Sequence, residues 1–510
     1  MARKALPMAE TTRDRHQPSP KAAAGAGPRT KTTLGFVNLG CTKNQVDAEI
    51  MLGTLAANGF ELSADPDQAE VVIINTCGFI EEAKQESIDT IIEHGALKKS
   101  GSCKVLIASG CLAQRYQGDL LKELPELDGV VGTGEIGRIA DICKTLLQPK
   151  KRHQRVFISQ PPYLYDEMAP RVRLGRQHSA YVKIAEGCNR NCAFCAIPIM
   201  RGKQRSRPID SIVAEAWQLA AEGVKELNLI SQDTVNYGVD LGIRQGFTAL
   251  LRELVKVKGL RWIRPFYLYP QQVTDELIDL YAGEETLAKY IDMPFQHIND
   301  AMLKRMHRLG GKADITRLVE KFRARIPDLT FRTAFIVGFP GETDEAFDEL
   351  KSYIEEMAFD RVATFLYSDE EGVPAEQMDG KVDRKLMQER QNELLAVQEL
   401  ISLAKSRAFV GRTLEVLVDG ASEETEHLLE ARHEGLAPEI DGVVYINDGV
   451  AKAGDLVNVH ITDATIFDLV GHVVNSSSSA PIVPPALPLF FTADRHSYFG
   501  LLRLTSAEIS

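Results

Sequence analysis

The chain has 510 residues and a formal net charge of −12, with 44% hydrophobic and 25% charged residues. This composition supports about three globular domains and argues against a protein built mainly to coat nucleic acid. No apolar run approaches the roughly 20 residues that a membrane-spanning helix needs, so we predict no membrane span.

The two ends of the chain differ in composition from the rest. Residues 1–31 carry seven basic and two acidic side chains and no apolar stretch, which excludes a secretory signal. We expect a disordered basic tail there, with an organelle transit peptide as the alternative. Residues 475–510 are rich in serine and proline, and we expect a second disordered tail.

The first third of the chain alternates short apolar runs with stretches of helical spacing. The apolar runs lie at 34–39, 71–74 and 105–108. This alternation predicts an α/β domain with a parallel sheet over residues 32–148. Residues 149–173 are basic and rich in proline, and they are predicted to be a linker.

Strand–helix alternation resumes over residues 174–404. Six candidate strands lie there, at 181–185, 226–230, 262–268, 290–293, 333–337 and 362–367. Six such units suit an incomplete (β/α)6 barrel better than a full eight-stranded one. Residues 405–474 instead hold five short alternating segments between Gly and Asp turns, which predict a small antiparallel β-barrel.

All eight cysteines lie in the first 195 residues. A large chain without a secretory signal is expected in the cytoplasm, where clustered cysteines more often bind metal than form disulfides. Cys188, Cys192 and Cys195 form a Cys-x3-Cys-x2-Cys motif just beyond a predicted strand. Three such thiolates can hold one face of an iron–sulfur cubane and leave one iron open to a small molecule. The alternative is a zinc site completed by His178 or His297.

A second set of cysteines is less obvious. Cys41, Cys77 and Cys111 each follow an apolar run. Because the carboxyl ends of parallel strands meet at one edge of a sheet, we expect these thiols to face one crevice as a second three-thiolate site. For any one of them, a buried structural thiol is the alternative. Cys103 and Cys143 are predicted not to be ligands.

With these motifs in hand, the chain resembles the radical S-adenosylmethionine (SAM) methylthiotransferases over about residues 33–474. The resemblance identifies the C-terminal barrel as an OB-like TRAM domain. It implies two [4Fe-4S] clusters, SAM as a further cofactor, and an electron donor such as flavodoxin or ferredoxin. The segments SQDTVNYGVD, IDMPFQHIND and YSDEEGVPA are similar to the RimO-like branch, which modifies the β-carbon of an aspartate in ribosomal protein S-twelve. The alternative MiaB-like branch modifies an adenosine of transfer RNA.

The charge of the C-terminal barrel bears on this choice. Residues 405–474 carry five basic and thirteen acidic side chains. RNA binding relies on Lys and Arg that neutralise phosphates, so we expect no strong RNA-binding surface. A basic ribosomal protein is a better electrostatic partner, although the charges could merely solvate the barrel. A non-catalytic iron–sulfur or zinc module is the remaining alternative.

Five further residues are candidate contacts of SAM, and no catalytic residue is assigned. Phe194 lies where related enzymes place an aromatic ring beside the adenine, or it belongs to the core. Gln232 and Gln296, at strand ends, could hydrogen-bond the methionine or ribose part. Arg332 could pair with a carboxylate or form a surface salt bridge, and Gly338 could admit a ligand or simply make a tight turn. The basic run 201–207 could meet the substrate or lie in solvent.

Overall fold

The computed structural model describes residues 31–148, 154–422, 425 and 427–474. The two predicted tails lie outside these ranges, except for Lys31 at the end of the first. From Thr32 onward the chain forms one unit. Among the helices described, none is both long and apolar enough to cross a membrane.

The N-terminal domain is a six-stranded parallel sheet, in the order β2-β1-β3-β4-β5-β6. Its strands are β1 (Thr33–Asn38), β2 (Glu61–Leu62), β3 (Val71–Thr76), β4 (Val105–Gly110), β5 (Gly129–Val131) and β6 (Val156–Phe157). Its helices are α1 (Thr42–Ala57), α2 (Glu81–Gly95), α3 (Leu97–Ser100), α4 (Cys111–Tyr116), α5 (Gly118–Glu123) and α6 (Ile139–Leu146). The central strands β3 and β4 are buried along their whole length, as expected of strands covered on both faces. The predicted parallel α/β domain is confirmed.

Part of the predicted linker 149–173 belongs to the folded structure. Strand β6 pairs with β5 at the edge of the sheet. Further along, Tyr165 is 3% exposed and Arg171 forms ion pairs with Glu49 and Glu215. A two-residue strand is too short to show a periodicity, so composition alone indicated a spacer. For the described residues 154–173, the interpretation as a plain linker is therefore wrong.

The central domain contains six parallel strands in two sheets, β7-β10-β11 and β12-β13-β14. A bridge between Ile263 and Leu287 joins the sheets. The six parallel strands are β7 (Ser179–Lys183), β10 (Glu226–Ile230), β11 (Trp262–Pro265), β12 (Tyr290–Asp292), β13 (Thr330–Val337) and β14 (Arg361–Leu366). Two further short strands, β8 (Ala185–Glu186) and β9 (Arg205–Ser206), lie between β7 and β10 in the sequence. The helices are α7 (Ile197–Arg201), α8 (Ile209–Ala221), α9 (Gly246–Leu254), α10 (Asp275–Gly283), α11 (Asp300–Arg305), α12 (Lys312–Arg325), α13 (Asp344–Met357) and α14 (Arg384–Arg407). This is the predicted incomplete six-stranded barrel, with β8 and β9 forming a small antiparallel ladder beside it.

The two faces of the barrel strands differ in polarity. Along β10, Leu227 and Leu229 belong to the apolar core that packs against the helices. The alternate positions Glu226 and Asn228 are buried and polar, and they point to the other side of the sheet. The inner face of these strands therefore carries buried polar and charged side chains beside apolar ones such as Tyr181, Ile230 and Trp262.

The C-terminal domain is a closed five-stranded barrel in the order β15-β16-β17-β19-β18. Its strands are β15 (Thr413–Ala421), β16 (Leu429–Arg432), β17 (Val444–Asp448), β18 (Leu456–Ala464) and β19 (Leu469–Val473). Four pairings are antiparallel, but β17 and β19 are parallel. Because β18 closes the barrel onto β15, β19 returns beside β17 in the same direction. The predicted barrel is confirmed, and a uniformly antiparallel order is not.

This small barrel contacts the amino ends of the central strands. His178, just before β7, lies 2.9 Å from Asp419. Arg432 donates to Glu226 at the start of β10, at 2.6 Å, and Arg264 donates to the backbone oxygen of Glu434 at the same distance. The opposite, carboxyl edge of the central strands is therefore left for the N-terminal domain and the cysteines.

Candidate active site and its two cysteine triads

The N-terminal triad consists of Cys41, Cys77 and Cys111, at or just beyond the carboxyl ends of β1, β3 and β4. The thiol of Cys77 interacts electrostatically with both of the other two. Gly40 makes this closeness possible, since its φ is +91° and a Cβ there would lie 3.2 Å from Cys77 Sγ. Burial raises the pKa of Cys111 to about 11 and that of Cys77 further still. The structure thus brings the three thiols together, as the sequence predicted.

The second triad consists of Cys188, Cys192 and Cys195, in the loop between β8 and α7; it is called the SAM triad below because the sequence predicts that SAM binds there. The backbone N–H of Arg190 donates to Cys188 Sγ at 3.4 Å, and Arg308 Nη1 donates to Cys192 Sγ at 3.6 Å. Burial and the neighbouring thiol of Cys192 raise the pKa of Cys195 to about 12. Donors therefore already point at two of the three sulfurs, as they do around thiolate ligands of metals.

Each triad offers three cysteine thiols, the donor set that iron–sulfur clusters use. Within the described ranges, no group of three Cys, His, Asp or Glu side chains is arranged to hold a single metal ion. Burial raises the pKa of Cys77, Cys111, Cys188 and Cys195, which favours their protonated thiols, so cluster binding has to displace those protons.

The zinc alternative finds no support in the histidines. His178 is paired with Asp419 of the C-terminal barrel. His297 is fully buried, and its Nδ1 accepts from the backbone N–H groups of Ile298 and Asn299. The other ring nitrogen of His297, Nε2, lies 3.5 Å from Glu342. In the part of the chain that the structure describes, neither histidine therefore has a cysteine of the SAM triad as its partner.

One buried arginine connects the two domains at the N-terminal triad. Arg201, at the end of α7, is 2% exposed and donates from Nε to Cys111 Sγ at 3.2 Å. Its Nη1 donates to Asp47 at 2.6 Å and its Nη2 to Asn44 at 2.5 Å. In the sequence, Arg201 belonged to a basic run expected either to meet substrate or to lie in solvent. For Arg201 the solvated alternative is wrong, because its side chain is buried against a predicted cluster ligand.

The same network continues toward the SAM triad. Lys183 lies between Asp47 and Glu186, at 2.5 and 2.6 Å. Burial alone would raise the pKa of Glu186, but Lys183 and Arg201 outweigh it and lower that pKa to about 2. Glu186 then accepts from Gln232 Nε2 at 3.1 Å. A continuous set of charged contacts thus runs from Cys111 to a residue that we predicted to bind SAM.

The other candidate SAM contacts line the carboxyl edge of the barrel. Phe194 is partly exposed and its ring meets that of Phe339 edge to face, at 6.4 Å. Gln232 keeps its Oε1 buried without a partner, which makes it an acceptor available to a ligand. Gln296 adopts a φ of +75° beside β13. A Cβ at Gly338 would lie 2.3 Å from Met387 Cγ, so packing against α14 also requires this glycine.

Arg332 differs from the other candidates. It is the third residue of β13 and donates to Asp292 Oδ1 at 2.6 Å. Its partner is thus a carboxylate of the same chain, in a buried pair rather than the surface salt bridge given as the alternative. A contact between Arg332 and a ligand carboxylate gains no support from this arrangement.

Three family models match the chain in succession. Residues 33–132 match the Uncharacterized protein family UPF0004, residues 182–354 the Radical SAM superfamily, and residues 410–474 the TRAM domain. Among solved structures, the radical S-adenosylmethionine methyltransferase TsrM from Kitasatospora setae, with tryptophan and a SAM analog bound, has a similar fold. Its TM-score is 0.51 at 15% identity, over 73% of this chain and 89% of that chain. The fold and the matches define a radical SAM enzyme with an added N-terminal domain and a TRAM barrel.

Curated relatives narrow this class. The chain is 48% identical over 443 residues to the ribosomal protein uS12 methylthiotransferase RimO of Anaeromyxobacter sp. (strain Fw109-5), covering 87% of this chain and 93% of that protein. It is also 48% identical to the RimO of Bdellovibrio bacteriovorus, covering 86% and 97%. The chain belongs to the RimO family of radical SAM methylthiotransferases. It is a transferase that uses SAM and iron–sulfur chemistry, and the comparisons favour the RimO-like branch over the MiaB-like one.

Proposed function

We propose that the chain inserts sulfur and a methyl group at the β-carbon of an aspartate in ribosomal protein uS12, which is the same protein as ribosomal protein S-twelve. The proposal includes two [4Fe-4S] clusters, one on each triad, and a cytoplasmic location where the cysteines stay reduced. The observation that carries it is the bond from Arg201, beside the SAM triad in sequence, to Cys111 of the N-terminal triad. Cys111 also packs in one apolar cluster with Ala193 and Phe194 of the loop that carries the SAM triad, so both triads border one core, as expected of sites that serve one reaction.

The residues of the chain have definable roles in this reaction. When bound, the clusters and SAM supply the one-electron cleavage that produces a carbon-centred radical, together with the sulfur and the methyl group. Cys188, Cys192 and Cys195 would hold the cluster at which SAM binds. Gln232, fixed by Glu186, offers its buried Oε1 as an acceptor. Phe194 and Phe339 form an apolar wall that excludes water from the reacting groups.

The cluster assignment is tested by counting iron. In anaerobically reconstituted protein, replacing the three cysteines of the N-terminal triad by alanine removes about half of the iron, because one of two cubanes is lost. Cys103→Ala is the matched control, since Cys103 is buried in an apolar core. The iron content of this variant is expected to equal that of the wild type. Full iron retention in the triple variant would contradict a second cluster.

The substrate assignment is tested by mass spectrometry of a deletion strain. The methylthio group is expected to disappear from uS12 peptides and to return with the wild-type gene, but not with the triple-alanine variant. Transfer-RNA nucleosides, analysed from the same cells, remain unchanged. Loss of a methylthio group from tRNA with uS12 unaffected would establish the MiaB-like alternative instead.

We also propose where the electron donor docks. A cleft of about 660 Å³ borders residues 189–191, the loop between two ligands of the SAM triad. Its lining includes Arg190, Lys304, His307 and Arg308, with Asp300 as its acidic member. A basic cleft beside the cluster on an otherwise acidic protein suits an acidic one-electron carrier such as flavodoxin or ferredoxin.

A further inference from the structure

Lys43 is a buried cation without an anion. It lies in the first turn of α1 and is 7% exposed. Among the described residues its ammonium has no hydrogen-bond or ion-pair partner, and it lies over the ring of Tyr267, whose centroid is 3.0 Å from Lys43 Nζ. The side chain is mostly buried, but the ammonium keeps some accessible surface and can therefore meet a ligand. The cation–π contact recovers only part of the cost of removing an ammonium from water, and a bound anion would recover more. The site therefore favours an anionic ligand.

The acids nearest in the fold are already occupied. Asp47, one turn further along α1, pairs with Lys183 and Arg201. Glu49 pairs with Arg171. Asp292 accepts from Arg332 and from the backbone N–H of Tyr267. The missing anion is consequently not supplied by these groups.

The position of Lys43 points to the reaction centre. It follows Cys41 of the N-terminal triad by two residues. Tyr267 lies just beyond β11, and its backbone oxygen accepts from Thr234, just beyond β10, so its ring belongs to the carboxyl edge of the barrel. Lys43 thus bridges the N-terminal triad and the mouth of the barrel.

A neighbouring group shares the same deficiency. Thr42 Oγ1 is buried and has no hydrogen-bond partner. The first turn of α1 contains no acidic residue, and the N-terminal cap makes no side-chain hydrogen bond. The partial positive charge of a helix N-terminus adds to the attraction of an anion at this place.

We propose that Lys43 and Thr42 bind the side-chain carboxylate of the substrate aspartate. This inference rests on the proposed function and deepens it, because it identifies what selects an acidic side chain. A carboxylate accepts from the ammonium and the hydroxyl together and neutralises the buried charge. An adenine base carries no negative charge and would leave the ammonium unpaired.

The test compares two uS12 peptides that differ only in whether the target residue is aspartate or asparagine. Dissociation constants are measured by fluorescence anisotropy with the reconstituted holoenzyme. The wild type is expected to prefer the aspartate peptide by about 10- to 100-fold, the range for a hydrogen bond to a charged group. Lys43→Met abolishes this preference, and Lys43→Arg restores most of it. Lys385→Met is the matched control: the side chain of Lys385 is 86% exposed on α14, and this variant is expected to keep the preference for the aspartate peptide.

Three results would overturn the inference. An unchanged preference in Lys43→Met would mean that another group binds the carboxylate. An unchanged preference together with an altered electron paramagnetic resonance spectrum of the N-terminal cluster would assign Lys43 to the charge of that cluster. A wild-type enzyme that binds neither peptide and leaves uS12 unmodified would refute the proposed function, and this inference with it.

Discussion

Replacing Arg201 by methionine tests the connection between the two domains. The substitution keeps a similar volume but removes the donors to Cys111, Asn44 and Asp47. Asp47 retains Lys183, so one buried carboxylate is left half-satisfied and not isolated. Breaking a buried ion pair from one side costs about 3–5 kcal/mol. We expect Arg201→Met to lower the free energy of unfolding of the metal-free protein by that amount.

The assay is urea denaturation under anaerobic conditions, followed by circular dichroism. Arg384→Met is the matched control, because Arg384 and Glu82 form an ion pair at 2.8 Å while 68% and 56% exposed. Such surface pairs contribute about 0–1 kcal/mol. Equal losses in the two variants would refute the view that Arg201 holds the domains together.

A second measurement on Arg201→Met reports on the cluster itself. Hydrogen bonds to ligand sulfurs are among the factors that set the potential of an iron–sulfur cluster. Removing the donor from Cys111 is expected to make the reduction potential of the N-terminal cluster more negative. An electron paramagnetic resonance titration measures this in a background where the SAM triad is replaced by alanine, so that one cluster is observed. An unchanged potential would limit Arg201 to a structural role.

Two further predictions concern the TRAM barrel and the donor cleft. Burial, then Arg361, Arg264 and Arg412, lower the pKa of His433 to about 3, and its Nδ1 accepts from Gly435. His433 therefore costs no free energy of unfolding above its unfolded pKa near 6.5, and it lowers the free energy of unfolding by about 2 kcal/mol at pH 5. Urea denaturation at the two pH values is expected to show this loss in the wild type and not in His433→Asn. Lys304→Glu is expected to lower the ratio of the turnover rate with reduced flavodoxin to the rate with dithionite about tenfold. An equal decrease of this ratio in Lys385→Glu would contradict a specific cleft.

The architecture followed from the sequence because its signals were local. Strands β3 and β4 are buried on both sides, so they are continuous apolar runs that periodicity detects. The N-terminal triad followed from one topological rule, that the carboxyl ends of parallel strands share an edge. Strand β6 was missed, since two residues carry no periodic signal.

The charged residues of the site could not be placed in the same way. Arg201 and Lys43 look like ordinary solvated cations in the sequence, because basic residues are mostly exposed. Their burial results from the contact of α1 with the loops at the mouth of the barrel, and a pattern within one segment does not record that contact. The available signal was the closeness of each residue to a cysteine ligand, since residues that position metal ligands cluster around them.

The buried ion pairs between the domains restrict how the enzyme works. The carboxylates of α1, Asp47 and Glu49, are paired with cations from the central domain and the segment before it. Swinging the N-terminal domain away would expose these charges singly to a low-dielectric surface or require their complete solvation, at several kcal/mol for each buried pair. These ion pairs therefore hold helix α1, and with it the N-terminal triad, in a fixed position against the central domain.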